Sequence, residues 1–562
     1  MHHQLQPADY LVFFIYFIIV SGYGIWIYQR KKQKITSSAS FFLAEGTLTW
    51  WAIGASLIAS NISAEQFIGM SGSGFKIGLA ISTYEWMAAA TLIVVAIFFI
   101  PVYLKNKIFT MPQFLSQRYN GTVAMIMAIF WLLLYIVVNL MSILYLGALA
   151  ISGISGINIE VCITLLAIFS ILIALGGMKV IGYTDVIQVA VLILGGLMAT
   201  YLALNLISAR AGSSGLLNGF VLLKQQATDH FHMILKRNDP NYMDLPGLSV
   251  LIGGMWITNL NYWGCNQYIT QRALGADLKT ARSGLLFAAF LKLLMPVIVV
   301  LPGIAAFELY RQGMFHHQML SSKGIVDVNK AYPSLLNLLP TGLKGLSFAA
   351  LTAAIVASLA GKANSIATIF TLDIYKKAIN PEASDKKLVL YGKFAVAVSM
   401  ALGVILALII GDSLMGEGKQ GFQYIQEYTG LVSPGIFAMF ILGFFWKKAT
   451  SNAALFATIG GFAFSVFFKF LPQFANLSFL APYGFSVDKG NGIYEIPFLD
   501  SMSFVFAICI IGMVIISLIE NAQGVKPKGL EIDASMFKTS RAFTAGVLII
   551  CGILVALYTM FW

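Results

Sequence analysis

Apolar residues run in long blocks along this chain, and polar residues gather in the stretches between them. Residues 9–28 (DYLVFFIYFIIVSGYGIWIY) and 541–562 are two such blocks. Each is close to the roughly 20 residues that a helix needs to cross a bilayer core. Fourteen blocks can be delimited, near 9–28, 50–71, 79–104, 124–152, 159–176, 182–205, 249–271, 284–307, 341–371, 389–410, 423–446, 452–471, 501–519 and 542–561. The pattern predicts an all-α integral membrane protein with fourteen transmembrane helices, because helices satisfy their own backbone in lipid.

Charge follows the same punctuation. The segments after odd-numbered spans carry Arg30, Lys31, Lys32 and Lys34; Lys105, Lys107 and Arg118; Lys179; Arg272, Lys279 and Arg282; Lys376, Lys377, Lys386 and Lys387; Lys447 and Lys448; and Lys526, Lys528, Lys538 and Arg541. Those after even-numbered spans are poor in cations, apart from two long segments near 206–248 and 308–340 that translocate largely regardless of charge. The alternation places both termini outside the cytoplasm. It also disposes of a nucleic-acid partner, since the net charge of +12 is spread over these short loops. Only 11% of residues are charged, against about 25% in a soluble protein.

Other chemistry is sparse. The opening MHHQLQPADY has no basic region and the first block has no small-residue cleavage site after it, so that block is read as span 1 rather than a signal peptide. Cys162, Cys265, Cys509 and Cys551 lie in apolar segments and are expected as free thiols. All six histidines fall in the amino-terminal tail or an external segment. No nucleophile triad, metal-ligand spacing or phosphate-binding glycine loop occurs within the spans, so an enzyme has no residues to rest on.

Two spans are unlike the others. Span 2 carries Ala59-Ser60-Asn61-Ile62-Ser63 at its middle, then Glu65 and Gln66. Span 7 carries Asn259, Asn261, Gly264, Asn266 and Gln267. Small polar residues compete for backbone hydrogen bonds, and at membrane depth they must face protein or water. The two spans are five apart, so spans 2–6 and 7–11 would form repeats of opposite orientation. Interrupted segments at matching places in two repeats point to a transporter's central site. Polar contacts between neighbouring helices are the plainer reading.

The run ASNISAEQFIGMSGSGFKIGLAISTYEW resembles the solute:sodium symporter family, as do NYWGCNQYITQR, FAAFLKLLMPVIVVLPGIAA, SLAGKANSIATIFTLDIYKK and QYIQEYTGLVSPGIFAMFILGFFWKK. The similarity extends from FFLAEGTLTWWAIGASL to the final LYTMFW and is closest to the family's sugar-carrying branch. The resemblance implies a LeuT-like core of five plus five helices, discontinuous at spans 2 and 7, working by alternating access in a bacterial inner membrane. The chain would divide into 1–49 (span 1 and a basic loop), 50–206 (repeat one), 207–248 (external loop), 249–448 (repeat two) and 449–562 (peripheral spans). The implied partners are a sugar, sodium ion and lipid, with no obligate protein partner.

A hexose presents hydroxyls that both donate and accept, so its site needs amides and a carboxylate spread over several helices. The positions matching the family's sugar contacts are Asn61, Gln66, Glu85, Asn259, Lys292 and Gln426. Tyr262 matches the aromatic that stacks under the sugar; Met70, Tyr84 and Phe422 match the outer lid. Ala88 stands where the sugar branch has serine, which removes a hydrogen bond worth about 0.5–1.5 kcal/mol. Asn261 replaces a tyrosine beside the gate. Glu85 and Lys292 also admit a purely structural reading as an ion pair, though charges inside a membrane are functional by default.

For sodium, a hard cation, the resemblance implies the carbonyls of Ala59, Ile62 and Ala354 and the hydroxyl of Ser358, with Ala357 in place of a second serine. Lys362 lies four residues beyond Ser358, hence on the same helix face. Asp185 matches a carboxylate on the ion's inward path, and a Lys362–Asp185 pair that alters ion release is expected. Two other readings of Lys362 stay open: it snorkels to the cytoplasmic interface, or its ammonium replaces sodium and transport is sodium-independent. A symporter of another neutral polyol, such as an inositol, is the second functional reading. A channel or sensor is a distant third.

Overall fold

The computed structural model describes residues 5–30, 48–175, 178–320, 324–416, 419–490 and 492–562. His2, His3, Lys31, Lys32 and Lys34 lie outside the described residues, as do the side chains of Arg30 and Lys179. Among the described residues, nine helices are long and apolar enough to cross a membrane. A tenth appears when Gly421–Gly430 and Ser433–Phe445, bent by 50°, are taken as one span.

Four of the apolar blocks stand outside that count for visible reasons. The block at 50–71 is split into Trp50–Asn61 and a second helical stretch starting at Glu65. The block at 249–271 is split into Ser249–Ile252, Gly254–Gly264 and Gln267–Leu274. Ile159–Ala174, with 16 residues, and the apolar part of Pro7–Arg30, Pro7–Val20, are shorter than the other spans. Several spans also contain π-helical turns, including Glu65–Met70 and Leu134–Leu140. Such turns shift the register of side chains by inserting a residue and recur at functional sites.

Among the described residues, the basic segments around Asn106–Arg118, Arg282, Gly443–Ala449 and Glu531–Lys538 meet on one face. Arg282 donates to the carbonyls of Lys538 and Met536, both at 2.8 Å, and Asn106 donates to Glu531 O at 3.1 Å. Arg118 closes the end of the Ser433–Phe445 helix through Gly443 O at 2.7 Å, Trp446 O at 2.8 Å and Ala449 O at 3.0 Å. Arg118 and Arg282 are buried, so they cap last-turn carbonyls and loops rather than standing as free surface charge.

The opposite face holds both described chain ends. The Asp9 carboxylate accepts the amides of Gly342 at 2.6 Å and Gly345 at 3.0 Å, which caps the Leu343–Thr368 helix from another part of the chain. Arg311 donates to Gln226 O at 2.7 Å, and the Met233 amide to Phe561 O at 2.7 Å. The 207–248 segment is not bare loop. It contains the helix Leu216–Gln226, whose Gly219 lets it press on Leu204, where a Cβ would lie 2.0 Å from the Leu204 carbonyl. A two-stranded hairpin, Val487–Asp488 with Tyr494–Glu495, also departs from an all-helical expectation, outside the spans. All four cysteines are free thiols.

Candidate functional site

The first break is built by a capping box. Helix Trp50–Asn61 ends where Ile62 turns extended, at φ −77° and ψ 107°. Ser63 then starts the next stretch. Its amide donates to Gln66 Oε1 at 3.1 Å, while its Oγ accepts the Glu65 amide at 3.1 Å. This reciprocal Ser-x-x-Gln arrangement satisfies donors that a new helix start leaves open. It also diverts the amides that would have closed the preceding helix. The Ser63 amide goes to Gln66 rather than to Ala59 O, and the Gln66 amide goes to Ser63 O at 3.2 Å rather than to Ile62 O.

The second break falls at Cys265 and Asn266. Asn266 caps the helix Gln267–Leu274, its Oδ1 accepting the Tyr268 amide at 3.1 Å. The Gly264 carbonyl, left at the end of the preceding helix, takes the Tyr103 hydroxyl at 2.7 Å.

Between the breaks lies one polar cavity. All six residues assigned to the sugar line it: Asn61, Gln66, Glu85, Asn259, Lys292 and Gln426. Tyr262, Tyr84, Phe422 and Ala88 line it as well. Met70 does not; it is buried on the π-helical turn behind the wall. Lys292 is bonded to both Glu85 Oε2 and Asn61 Oδ1, and its ammonium lies 5.1 Å from the Trp263 ring centroid. Asn61 in turn donates from Nδ2 to the Tyr262 hydroxyl at 3.3 Å. One amide thus ties the ion pair to the aromatic on the cavity's wall. Tyr84 and Phe422 meet edge to face, centroids 5.0 Å apart. Asn261 reaches from helix Gly254–Gly264 to Ser433 Oγ at 3.1 Å, so it joins helices as well as facing the cavity.

Ser358 faces the carbonyl end of the first half-helix, where its Oγ donates to Ser60 O at 3.3 Å. The Tyr268 hydroxyl also bonds Ser60 O and lies 3.2 Å from Ser358 Oγ. Half-helix C-termini concentrate carbonyl dipoles and suit a monovalent cation. Ala59 lies in the last turn of Trp50–Asn61, Ile62 is the extended residue that ends it, and Ala354 lies one turn before Ser358 on the packed helix Leu343–Thr368; all three are buried. Tyr268 brings a hydroxyl to this corner that sequence reasoning had not placed there.

Lys362 corrects an expectation. Its ammonium lies 3.7 Å from Glu65 Oε1, not on Asp185, and 5.4 Å from the centroid of the Tyr268 ring. Asp185 is claimed elsewhere: Oδ2 accepts Ser56 Oγ at 2.7 Å, and Ser56 Oγ accepts Arg272 Nε at 3.0 Å. Arg272, one turn after Tyr268, supplies the positive charge that the sequence reading sought from Lys362. Nor does Lys362 snorkel, since its side chain is 3% exposed and lines the polar cavity. Glu65 and Lys362 are therefore cavity residues that the sequence reading did not assign to it.

Comparison with known proteins agrees with this architecture. A model of the sodium:solute symporter family matches residues 41–461. The sodium/glucose cotransporter of Vibrio parahaemolyticus is 45% identical over 573 residues, covering 100% of this chain and 99% of that one. The sodium/myo-inositol cotransporter 2 of Homo sapiens is 33% identical over 479 residues, covering 81% of this chain and 69% of its own. Among solved structures, a Na+-coupled sialic acid symporter in a substrate-bound outward-open state shares the fold. Its TM-score is 0.73 at 21% identity, over 93% of this chain and 100% of that one. The chain belongs to the sodium:solute symporter family.

Proposed function

We propose that this protein couples the entry of sodium to the uptake of a neutral hexose, by alternating access around the cavity between its two broken helices. The observation that carries the reading is the convergence of the amide side chains of Asn61, Gln66, Asn259 and Gln426 and the Glu85–Lys292 pair on one cavity. Amides can donate and accept at once, which matches sugar hydroxyls. A site with pre-set partners also rejects a solute that leaves them unpaired. The net charge of the Glu85–Lys292 pair is zero, so the wall asks for no charge on the substrate.

Sodium would sit at the carbonyl end of Trp50–Asn61, held by the carbonyls of Ala59, Ile62 and Ala354 and the hydroxyl of Ser358. The redirected amides of Ser63 and Gln66 support this, because they leave carbonyl lone pairs for a hard cation. Tyr262 would stack beneath the sugar on the inner side, with Tyr84 and Phe422 as the outer lid. Fourteen spans, with 50–206 and 249–448 as inverted repeats, account for the order of the helices. The basic face would be cytoplasmic and both chain ends extracytoplasmic, following the loop cations. The sodium/glucose relative supports the hexose, and the sodium/myo-inositol relative supports an inositol as the second substrate class.

The test is uptake of labelled glucose, galactose and myo-inositol into proteoliposomes, with and without an inward sodium gradient. Concentrative uptake of one of them under the gradient is expected, with unlabelled hexoses competing. Equal uptake in both conditions overturns the coupling; no uptake of any of the three overturns the substrate class.

A further inference from the structure

A second carboxylate and ammonium face the same cavity as Glu85 and Lys292, but they are arranged differently. Lys292 is locked by direct bonds to two oxygens. Lys362 Nζ stands off from Glu65 Oε1 at 3.7 Å, beyond hydrogen-bond range, as a neighbouring charge rather than a clasped partner. Glu65 Oε1 accepts the Ser142 hydroxyl at 3.3 Å, and both residues of the pair are buried. A buried carboxylate is costly unless a positive charge balances it or it takes up a proton, and here the Lys362 ammonium stands near enough to balance it.

The surroundings of that ammonium are those of a monovalent cation. It faces a carboxylate oxygen and lies over the Tyr268 ring, at a range where a cation is drawn to an aromatic face. The amide residues Asn139 and Asn266 line the same cavity. Lys362 arrives from the Leu343–Thr368 helix and Glu65 from the π-helical turn after the first break, so the pair bridges elements that meet at the site. The position neighbours the carbonyl end of Trp50–Asn61, where Ser358 and the Tyr268 hydroxyl meet Ser60, but it is built on a different oxygen, the Glu65 carboxylate.

We infer that Lys362 is a tethered cation, its ammonium filling beside Glu65 a seat that a second free sodium ion would otherwise occupy, so that the protein cycles with one fewer transported cation. The charge that balances Glu65 stays with the protein through every turnover. Removing the ammonium while keeping the carboxylate should turn the seat into a working ion site. The inference rests on sodium-coupled transport but not on which residues hold the coupled ion.

The experiment compares wild type, Lys362→Met and the double variant Glu65→Gln/Lys362→Met, in proteoliposomes at constant ionic strength with choline replacing sodium. Methionine keeps the length of the side chain and drops the charge. In Lys362→Met the sodium dependence of sugar uptake should steepen, its Hill coefficient rising from about one towards two, and the charge moved per sugar should increase. The double variant, with neither charge, should return to the shallow curve. A wild-type sodium curve in Lys362→Met overturns the proposal, as does equal steepening in the double variant. Thermal stability of the purified variants against sodium concentration gives a readout that does not need transport. Lys362→Met should gain a sodium-dependent stabilisation that the double variant lacks, and no such gain is an overturning result. Loss of sodium dependence in wild type alone would count against coupled symport, not against the seat.

Discussion

Lys292 and Glu85 are bonded to one another from different helices, with side chains 1% and 3% exposed. Lys292 comes from the 34-residue helix Leu278–Arg311, and Glu85 from the first turn of Thr83–Val94. In a buried pair, desolvation cancels much of the attraction, so the pair adds little net stability. Removing one partner is different, because the remaining charge stays buried without compensation. Glu85→Gln and Lys292→Met should each destabilise the protein by about 3–5 kcal/mol and abolish sugar uptake. The double variant should regain much of the stability and none of the transport. Thermal unfolding and uptake measured on the three variants check this. A double variant as unstable as either single one would show that the pair does not act as a unit.

The spans were legible because lipid demands apolar blocks, and the two abnormal spans because polar residues stood where lipid forbids them. The place of each break could have been read more sharply. Ser63-Ala64-Glu65-Gln66 is a helix-start signature in the middle of a span, and Asn266 is a cap in the middle of another. The partner of Lys362 was not legible. Spacing along one helix puts Lys362 on the face of Ser358, but which carboxylate meets it depends on how other helices cross. Asp185 was excluded by Ser56 and Arg272, a contact between segments more than a hundred residues apart in sequence. Arg118 and Arg282 carried a topology signal and turned out to be buried caps as well. Long side chains can serve both ends, which no count of loop charges reveals.

Ala88 lines the cavity one turn after Glu85, on the wall that carries the carboxylate. Replacing it with serine adds a hydroxyl facing the sugar without adding much volume. A hydrogen bond of about 0.5–1.5 kcal/mol corresponds to roughly a 2- to 10-fold gain in apparent sugar affinity. The Ala88→Ser variant should therefore lower the half-saturating sugar concentration by that factor with maximal uptake unchanged. Competition with epimers and deoxy sugars would identify which hydroxyl the new group meets. An unaltered affinity would mean that the sugar does not lie against this wall.

The capping box at Ser63 makes a prediction about the break itself. Serine satisfies the Glu65 amide through Oγ, and its own amide is held by Gln66. Ser63→Ala removes the first interaction, at a cost of about 1 kcal/mol. Alanine also favours continuing the helix across the break, which would draw amides back towards the carbonyls of Ala59 and Ile62. Sodium dependence should then weaken by more than the loss of stability accounts for. Ser63→Thr, which keeps the hydroxyl, should behave as wild type. Matching sodium curves for the alanine and threonine variants would dissociate the cap from the ion.

Gly361 tests the corner where Tyr268 meets Ser358. A Cβ at this position would lie 2.9 Å from Tyr268 Cε2 and 2.9 Å from Arg272 Nη2. Neither neighbour is free to retreat. The Tyr268 hydroxyl is bonded to Ser60 O, and Arg272 is bonded both to Ser56 Oγ and to the Tyr268 carbonyl. Gly361→Ala should push the ring aside and withdraw its hydroxyl from Ser60 and Ser358, with a destabilisation of about 1–3 kcal/mol. Gly552→Ala is the matched control, because a Cβ there meets nothing within 4 Å in the helix Arg541–Met560. The half-saturating sodium concentration should rise several-fold in Gly361→Ala and stay put in Gly552→Ala, while sugar affinity at saturating sodium is retained. Tyr268→Phe removes the hydroxyl without crowding and should reproduce the sodium effect with less loss of stability. If both Gly361→Ala and Tyr268→Phe keep the wild-type sodium curve, the Tyr268 hydroxyl plays no part in holding the ion and its bonds to Ser60 and Ser358 only brace the helices.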